Sequence, residues 1–244
     1  MRLFGLIGYP LSHSFSKKYF TEKFQKKGLP DCSYELFPLT DITELPGLIN
    51  DKPGLSGFNV TVPYKQQVIA YLDDKTNIPA SLNACNCVKI INNKLVGFNT
   101  DTIGFEKSIL PLLKSHHKKA LVLGSGGAAA AVVFVLQKLN IKYKIISRGK
   151  HGNDMLSYKD LNEAIIRSHH VIINTTPLGM YPNVGSFPGI PYEFITKDHL
   201  LYDLVYNPAK TEFLKKGEVR GAAIYNGEQM LVLQAEESWR IWSK

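Results

Sequence analysis

Residues 120–129, Ala-Leu-Val-Leu-Gly-Ser-Gly-Gly-Ala-Ala, join an apolar run to a stretch of small and apolar residues that continues to Leu139. The run reads as a buried parallel strand and the stretch after the glycines as a helix, giving the order strand, turn, helix. In that setting Gly124 permits a tight turn and Gly126 leaves room for a pyrophosphate to approach the backbone. Ala129 lets the helix pack closely on the strand. Unpaired N–H groups at the helix start, backed by the positive end of the helix dipole, then face the phosphates. A Gly-rich triplet alone specifies no more than a turn; its flanks point to a dinucleotide.

About 20 residues beyond such glycines, an NAD-binding unit carries an acid for the ribose 2′-hydroxyl. Here the strand 142–146 ends in Ser147-Arg148-Gly149-Lys150, and no acid follows before Asp154. Arg148 suits a 2′-phosphate, which a guanidinium meets through charge-assisted hydrogen bonds. NADP is therefore expected over NAD, against the plainer reading of an arginine exposed after a strand.

A second set of reactive side chains lies in the first half of the chain. The strand-like run 57–65, Gly-Phe-Asn-Val-Thr-Val-Pro-Tyr-Lys, brings Asn59, Thr61 and Lys65 to a carboxyl end, where parallel sheets open onto a crevice. Lys65 alone reads as solvated surface. Ser12, Ser14 and Ser16 crowd the junction between a first strand at 2–8 and a helix at 14–27, where capping needs a single hydroxyl and three could hold a carboxylate. Asp101, in Asn99-Thr100-Asp101, is either a simple helix cap or part of the same site.

The elements that must position these residues follow a βα rhythm. Strands are expected at 2–8 and 34–39 with a return helix at 42–49, in parallel order, then a hairpin of 81–91 and 95–101 turning at Asn92-Asn93. A helix from Phe105 toward Leu113 crosses into the nucleotide-binding half. Further strands are expected at 142–146, 171–174, 200–205 and 222–227, and a final helix from Glu228. His169 and His170 precede a strand, away from its carboxyl end, and read as structural.

The nucleotide signature begins halfway along the 244 residues, so two domains are expected rather than one. Gly5, Gly8 and Pro10 break the first apolar patch, no run approaches the roughly 20 residues that span a bilayer, and a cytoplasmic protein is expected. The three cysteines include Cys85 and Cys87 with no second pair to complete a metal site; reduced thiols and no metal are expected. The formal charge of +8 comes from dispersed lysine pairs without a basic tail, which argues against nucleic acid and for small anions.

Taken in order, the motifs are Ser12-His13-Ser14-Phe15-Ser16, Asn59 to Lys65, Asn99-Thr100-Asp101, Gly124-Ser125-Gly126-Gly127-Ala128, Asn174-Thr175-Thr176-Pro177-Leu178-Gly179-Met180, Tyr206-Asn207-Pro208, and 227–235, Gly-Glu-Gln-Met-Leu-Val-Leu-Gln-Ala. This set resembles the shikimate dehydrogenases over almost the whole chain. The resemblance implies an α/β protein of two α/β domains separated by a cleft. A substrate domain with a mixed, mostly parallel sheet, residues 1–101 and 230–244, would flank a Rossmann-type NADP domain, 102–229. The implied chemistry is reversible NADPH-dependent reduction of 3-dehydroshikimate to shikimate by a monomer or homodimer, with no nucleic acid or membrane partner.

Carried over by motif, Ser14 and Ser16 would bind the substrate carboxylate. Thr61, Asn86 and Gln234 would bind ring hydroxyls and the reacting region, with Asn59 and Tyr206 beside them. Lys65 and Asp101 would form the catalytic pair. The cofactor would meet Gly124, Ser125, Gly126, Gly127, Ala128, Ser147, Arg148, Thr176 and Leu204, with Gly227 and Met230 lining the nicotinamide. A cationic lysine stabilises the developing alkoxide and donates a proton in reduction. In the reverse direction it must accept that proton, which a neighbouring aspartate opposes unless burial offsets it or the pair titrates as a unit.

Two departures stand out. The family's frequent Asn-Arg-Thr is Ser147-Arg148-Gly149 here, and Cys87 replaces a common threonine beside Asn86. The rival readings are a quinate/shikimate dehydrogenase using NAD, opposed by the missing acid near Arg148, and a non-catalytic dinucleotide-binding protein, opposed by the intact Lys65 and Asp101.

Overall fold

The computed structural model describes residues 2–11, 14–149 and 154–244. Ser12 and Lys150 lie outside the described residues. The chain divides into two compact units, Met1–Thr100 with Ala235–Lys244, and Asp101–Gln234.

The first unit begins with β1 (Arg2–Gly8), α1 (Phe15–Lys26) and β2 (Cys32–Pro38). A 3-10 turn at Ile42–Glu44, closed by reciprocal bonds between Asp41 and Glu44, leads into α2 (Leu45–Asp51), so the helix expected at 42–49 is split at Pro46. Then come β3 (Leu55–Val60), β4 (Asp74–Asn77), β5 (Cys87–Ile91) and β6 (Lys94–Phe98). The sheet order is β2-β1-β3-β5-β6-β4. Strands β2, β1 and β3 are parallel, β5 runs against both its neighbours, and β4 is parallel to β6. Asn92 and Asn93 turn the β5–β6 hairpin with φ of 50° and 61°, a conformation that asparagine tolerates. Strand β4 was not expected, because Asp74-Lys75-Thr76-Asn77 carries no apolar alternation to announce an edge strand.

Alternation along β1 separates two apolar layers. Phe4 and Leu6 face Phe20, Phe24, Tyr34 and Trp242, whereas Ile7 faces Leu45, Phe58 and Val68. Phe4 stacks on Trp242 at 4.9 Å, and Trp242 Nε1 donates to Val88 O at 2.9 Å. Gly57 makes that approach possible, since a Cβ there would lie 2.4 Å from Trp242 Nε1.

The second unit opens with α3 (Asp101–Ile109), which ends where Pro111 enters a 3-10 turn, Leu110–Leu112. The helix thus starts four residues before Phe105, with Asp101 as its first residue. Next are β7 (Lys119–Leu123), α4 (Gly127–Lys138), β8 (Lys142–Ser147), β9 (Met155–Ser157), α5 (Glu163–Ser168), β10 (Val171–Asn174), β11 (Leu200–Asp203), α6 (Glu212–Val219), β12 (Ala223–Tyr225) and α7 (Glu228–Ser243). All pairings are parallel, in the order β12-β11-β10-β7-β8-β9. Counted from β7, this is the 3-2-1-4-5-6 order of a Rossmann fold, with its switch point between β7 and β10. Ala120 and Val122 face one apolar layer with Phe105, Val132 and Met230; Leu121 and Leu123 face the other, with Ile166 and Phe213.

The early part of α7 packs within this unit. A Cβ on Gly104 would lie 2.7 Å from Met230 O, and Met230 shares a core with Phe105 and Ile109. For that reason the compact units change at 100/101 and 234/235, whereas the sequence expectation placed the changes at 101/102 and 229/230. No helix among the described residues is long and apolar enough to cross a membrane.

At the amino ends of β7, β10 and β11 the rings of His116, His117, His170 and His199 meet edge to face, with centroids 4.4 to 5.4 Å apart. His117 Nδ1 accepts from Lys114 N at 3.0 Å, and His199 Nδ1 from Thr196 N at 3.1 Å. Those acceptors require neutral rings, so Nε2 of each donates, to Asp198 O and Ile166 O. Burial lowers the pKa of His117, His169 and His199, and the charges around them include Lys114, Lys119, Lys144 and Asp198. The unfolded chain then binds protons that the folded chain does not, and stability is lost as pH falls below the unfolded histidine value of about 6.5. Asp203, raised to about 6, acts in the opposite sense. Denaturant midpoints followed by far-UV circular dichroism should fall between about pH 6.5 and 5, and the double variant His117→Asn, His199→Asn should show a shallower fall. An unchanged slope would refute the assignment.

Candidate active site

Register fixes one edge of the first sheet. Ile7 pairs with Val60, Asn59 with Cys87, and Cys87 with Phe98, so the ends of β1, β3 and β6 lie beside the start of β5. The segments carrying Ser14, Ser16, Thr61, Lys65, Asn86 and Thr100 all leave from that edge. The turn after β3 is held by Thr61 N to Ile7 O at 2.9 Å and by Tyr64, whose buried hydroxyl donates to Leu39 O at 2.8 Å. Half-buried Lys65 is fixed at its backbone, its carbonyl accepting from Cys85 N at 2.7 Å.

Ser14 occupies the N-cap position of α1 with extended backbone, yet its side chain makes no capping bond. Its Oγ is buried with no hydrogen-bond partner among the described residues. A buried polar atom left this way is uncommon and calls for a partner. Ser16, on the first turn of α1, hydrogen-bonds the Tyr34 hydroxyl, whose pKa burial drives well upward.

Behind these side chains runs a polar chain that sequence reasoning missed. Tyr34 donates to Asn59 Oδ1 at 2.9 Å, and Asn59 Nδ2 donates to Asn86 O at 3.1 Å and to Ser238 Oγ at 2.9 Å. Asn59, expected to bind substrate, therefore has both amide hydrogens engaged by protein. Asn86 is buried; its Oδ1 accepts from Thr100 N at 2.6 Å and its Nδ2 donates to Thr100 Oγ1 at 3.0 Å. Ser238 carried a signal, as a hydroxyl on the apolar face of α7 shared by Ala235 and Trp242. Asp101, 4% exposed, follows Thr100 directly and begins the second unit.

In the second unit Gly124 has φ of +110°, a region that favours glycine, and its N–H donates to Ile146 O at 2.8 Å. Gly126 caps α4 without a side chain. A Cβ at Gly126 or Gly127 would meet nothing within 4 Å, so the approach to the first N–H groups of α4 is open, as a phosphate requires. Ser125 and Arg148 are exposed, and Ala128 is half-buried. The Ser147 hydroxyl donates to Gly149 O, shaping the turn that carries Arg148. Asp154, the nearest acid in sequence, pairs with Lys144 at 3.0 Å. These residues fit a 2′-phosphorylated dinucleotide.

Thr176 and Leu204 leave the ends of β10 and β11, which a second buried network fixes. Asp203, fully buried, accepts from Asn174 Nδ2 at 2.9 Å, Thr211 Oγ1 at 2.6 Å and Val205 N at 3.0 Å. Burial nevertheless raises its pKa to about 6. Asn174 Oδ1 accepts from Thr176 N and Oγ1 at 3.0 and 2.6 Å. Gly227 packs on backbone, because a Cβ there would lie 2.1 Å from Leu204 O. Met230 is buried in the core, while Tyr206 and Gln234 are half-buried.

A family model described as the shikimate dehydrogenase substrate binding domain matches residues 6–88. Shikimate dehydrogenase (NADP(+)) of Methanococcus aeolicus is 37% identical over 99% of this chain and 92% of its own length. Shikimate 5-dehydrogenase from Thermus thermophilus, solved in complex with NADP(H) and shikimate, is similar with a TM-score of 0.87 at 28% identity, over 100% of this chain and 94% of that one. Quinate dehydrogenase from Corynebacterium glutamicum, solved in complex with NAD, also gives 0.87, at 26% identity over 99% and 93%. With that identity along its full length, the chain belongs to the shikimate dehydrogenase family.

Proposed function

We propose that this chain is an NADP-dependent shikimate dehydrogenase of the cytoplasm, reducing 3-dehydroshikimate reversibly to shikimate, with Lys65 and Asp101 as its catalytic pair. The observation that carries the site assignment is the buried Ser14 hydroxyl, which no described residue hydrogen-bonds, at the sheet edge from which the segments of Thr61, Lys65 and Asn86 also leave. A substrate carboxylate gives that hydroxyl an acceptor, with Ser16 beside it.

Bound NADPH supplies the hydride. As negative charge develops on the substrate oxygen, the Lys65 ammonium stabilises it and delivers a proton; in oxidation Lys65 takes that proton back, with Asp101 as its partner in the transfer. Thr61, Asn86 and Gln234 orient the ring. Asn59 holds the Asn86 carbonyl, so its role is support. In the other unit Gly124 to Ala128 present backbone N–H groups to the pyrophosphate. Arg148 meets the 2′-phosphate, and the Asp203 network holds Thr176 and Leu204. Gly227 and Met230 line the nicotinamide, with Tyr206 near the substrate.

NADPH oxidation with 3-dehydroshikimate tests the activity, and absence of turnover would overturn it. NADH and 3-dehydroquinate should each be poorer, and preference for that second pair would favour the quinate-type reading. Lys65→Ala should lower kcat by about 10²–10⁴-fold, the range for a lost general acid. Ser14→Ala should mainly raise the shikimate KM; identical effects of both on KM alone would contradict these roles. Arg148→Ala should raise the NADP KM by about tenfold or more while leaving that for NAD nearly unchanged, as loss of a charge-assisted contact to one phosphate demands.

A further inference from the structure

The polar chain of the first unit converges on Ser238, a side chain with no task in the scheme above. It is fully buried on α7. Its Oγ accepts from Asn59 Nδ2 at 2.9 Å, stands 3.4 Å from Thr100 Oγ1 and hydrogen-bonds the Cys87 thiol. A hydroxyl has a single hydrogen, so with Asn59 donating into the oxygen that hydrogen is left for Thr100 or Cys87.

Two of these three neighbours, Asn59 and Thr100, grip Asn86. Asn59 holds its backbone carbonyl at 3.1 Å, and Thr100 holds both ends of its side-chain amide, at 2.6 and 3.0 Å. Tyr34 closes the far end by donating to Asn59 Oδ1, which fixes which way round the Asn59 amide sits and directs its hydrogens at Asn86 and Ser238. Removing the Ser238 oxygen strands an Asn59 hydrogen in a buried site and loosens Thr100 from α7.

We propose that Ser238 is a positioning residue for shikimate binding, setting the orientation of Asn86 through Asn59 and Thr100. This rests on the assignment of Asn86 as a substrate contact, and a double-mutant cycle separates the two. Ser238→Ala should raise the shikimate KM about tenfold, the scale of a buried donor left unpaired, with kcat and the NADP KM changed by less than about twofold to threefold. In an Asn86→Ala background the same substitution should change the shikimate KM by less than about twofold, because the residue it acts through is gone. Ser238→Cys, which keeps the volume with a weaker acceptor, should give an intermediate increase and stands in if the alanine variant fails to fold.

An unchanged shikimate KM in a folded Ser238 variant overturns the inference, as does a full effect that persists without Asn86. The latter would mark Ser238 as a packing residue. If Asn86→Ala itself leaves the shikimate KM unchanged, the substrate assignment of Asn86 falls and the inference with it.

Discussion

Each unit depends on an asparagine amide at the end of a central strand, half-buried in the first and fully buried in the second. In the first, Asn59, the penultimate residue of β3, binds Tyr34, the Asn86 carbonyl and Ser238; in the second, Asn174 ends β10 and binds Asp203 and Thr176. A side-chain amide can donate and accept at once, so it ties loops that the ladder leaves unpaired where the strands stop. An unmet polar group in such a place costs as much as a lost hydrogen bond or more. The networks therefore set the shape of the loops that carry the candidate residues.

Strand direction gives these amides their place. Parallel strands bring all their carboxyl ends to one edge, and the single reversal at β5 brings Asn86 to that same edge by its amino end. In the Rossmann unit the glycines, Arg148, Thr176, Leu204 and Gly227 all follow carboxyl ends. The histidine cluster occupies the opposite edge, where the neutral rings of His117 and His199 bind loop carbonyls and N–H groups remote from the glycine turn.

The substrate side and the cofactor side use polar groups in different ways. Around α4 the backbone itself is offered, and glycine matters there because it removes obstruction. Around α1 a side chain is offered, and Ser14 matters because no described residue hydrogen-bonds its buried Oγ. Such a residue is held at some cost to stability, a pattern common at functional sites.

Much of this was legible from residue order alone. The glycine turn, Arg148 without an acid, the βα rhythm and the Asn92-Asn93 hairpin rest on backbone rules that act within a few residues. Position relative to strand ends left Lys65 as solvated surface and Asp101 as a helix cap, and the resemblance in the order of motifs is what joined them as a pair. Edge strands β4 and β9 and the short helix α5 were not legible, because little apolar periodicity marks them, whereas α6 was missed although Phe213, Leu214 and Gly217 share a buried face behind the Thr211 cap. The sequence left Ser14 between cap and ligand contact, and could not tell that Asn59 is engaged by protein, that Ser238 joins it across 179 residues, or that Asp203 is buried enough to titrate near 6. Burial and the identity of a hydrogen-bond partner are set by chain segments far apart in sequence, so only the tertiary structure decided them.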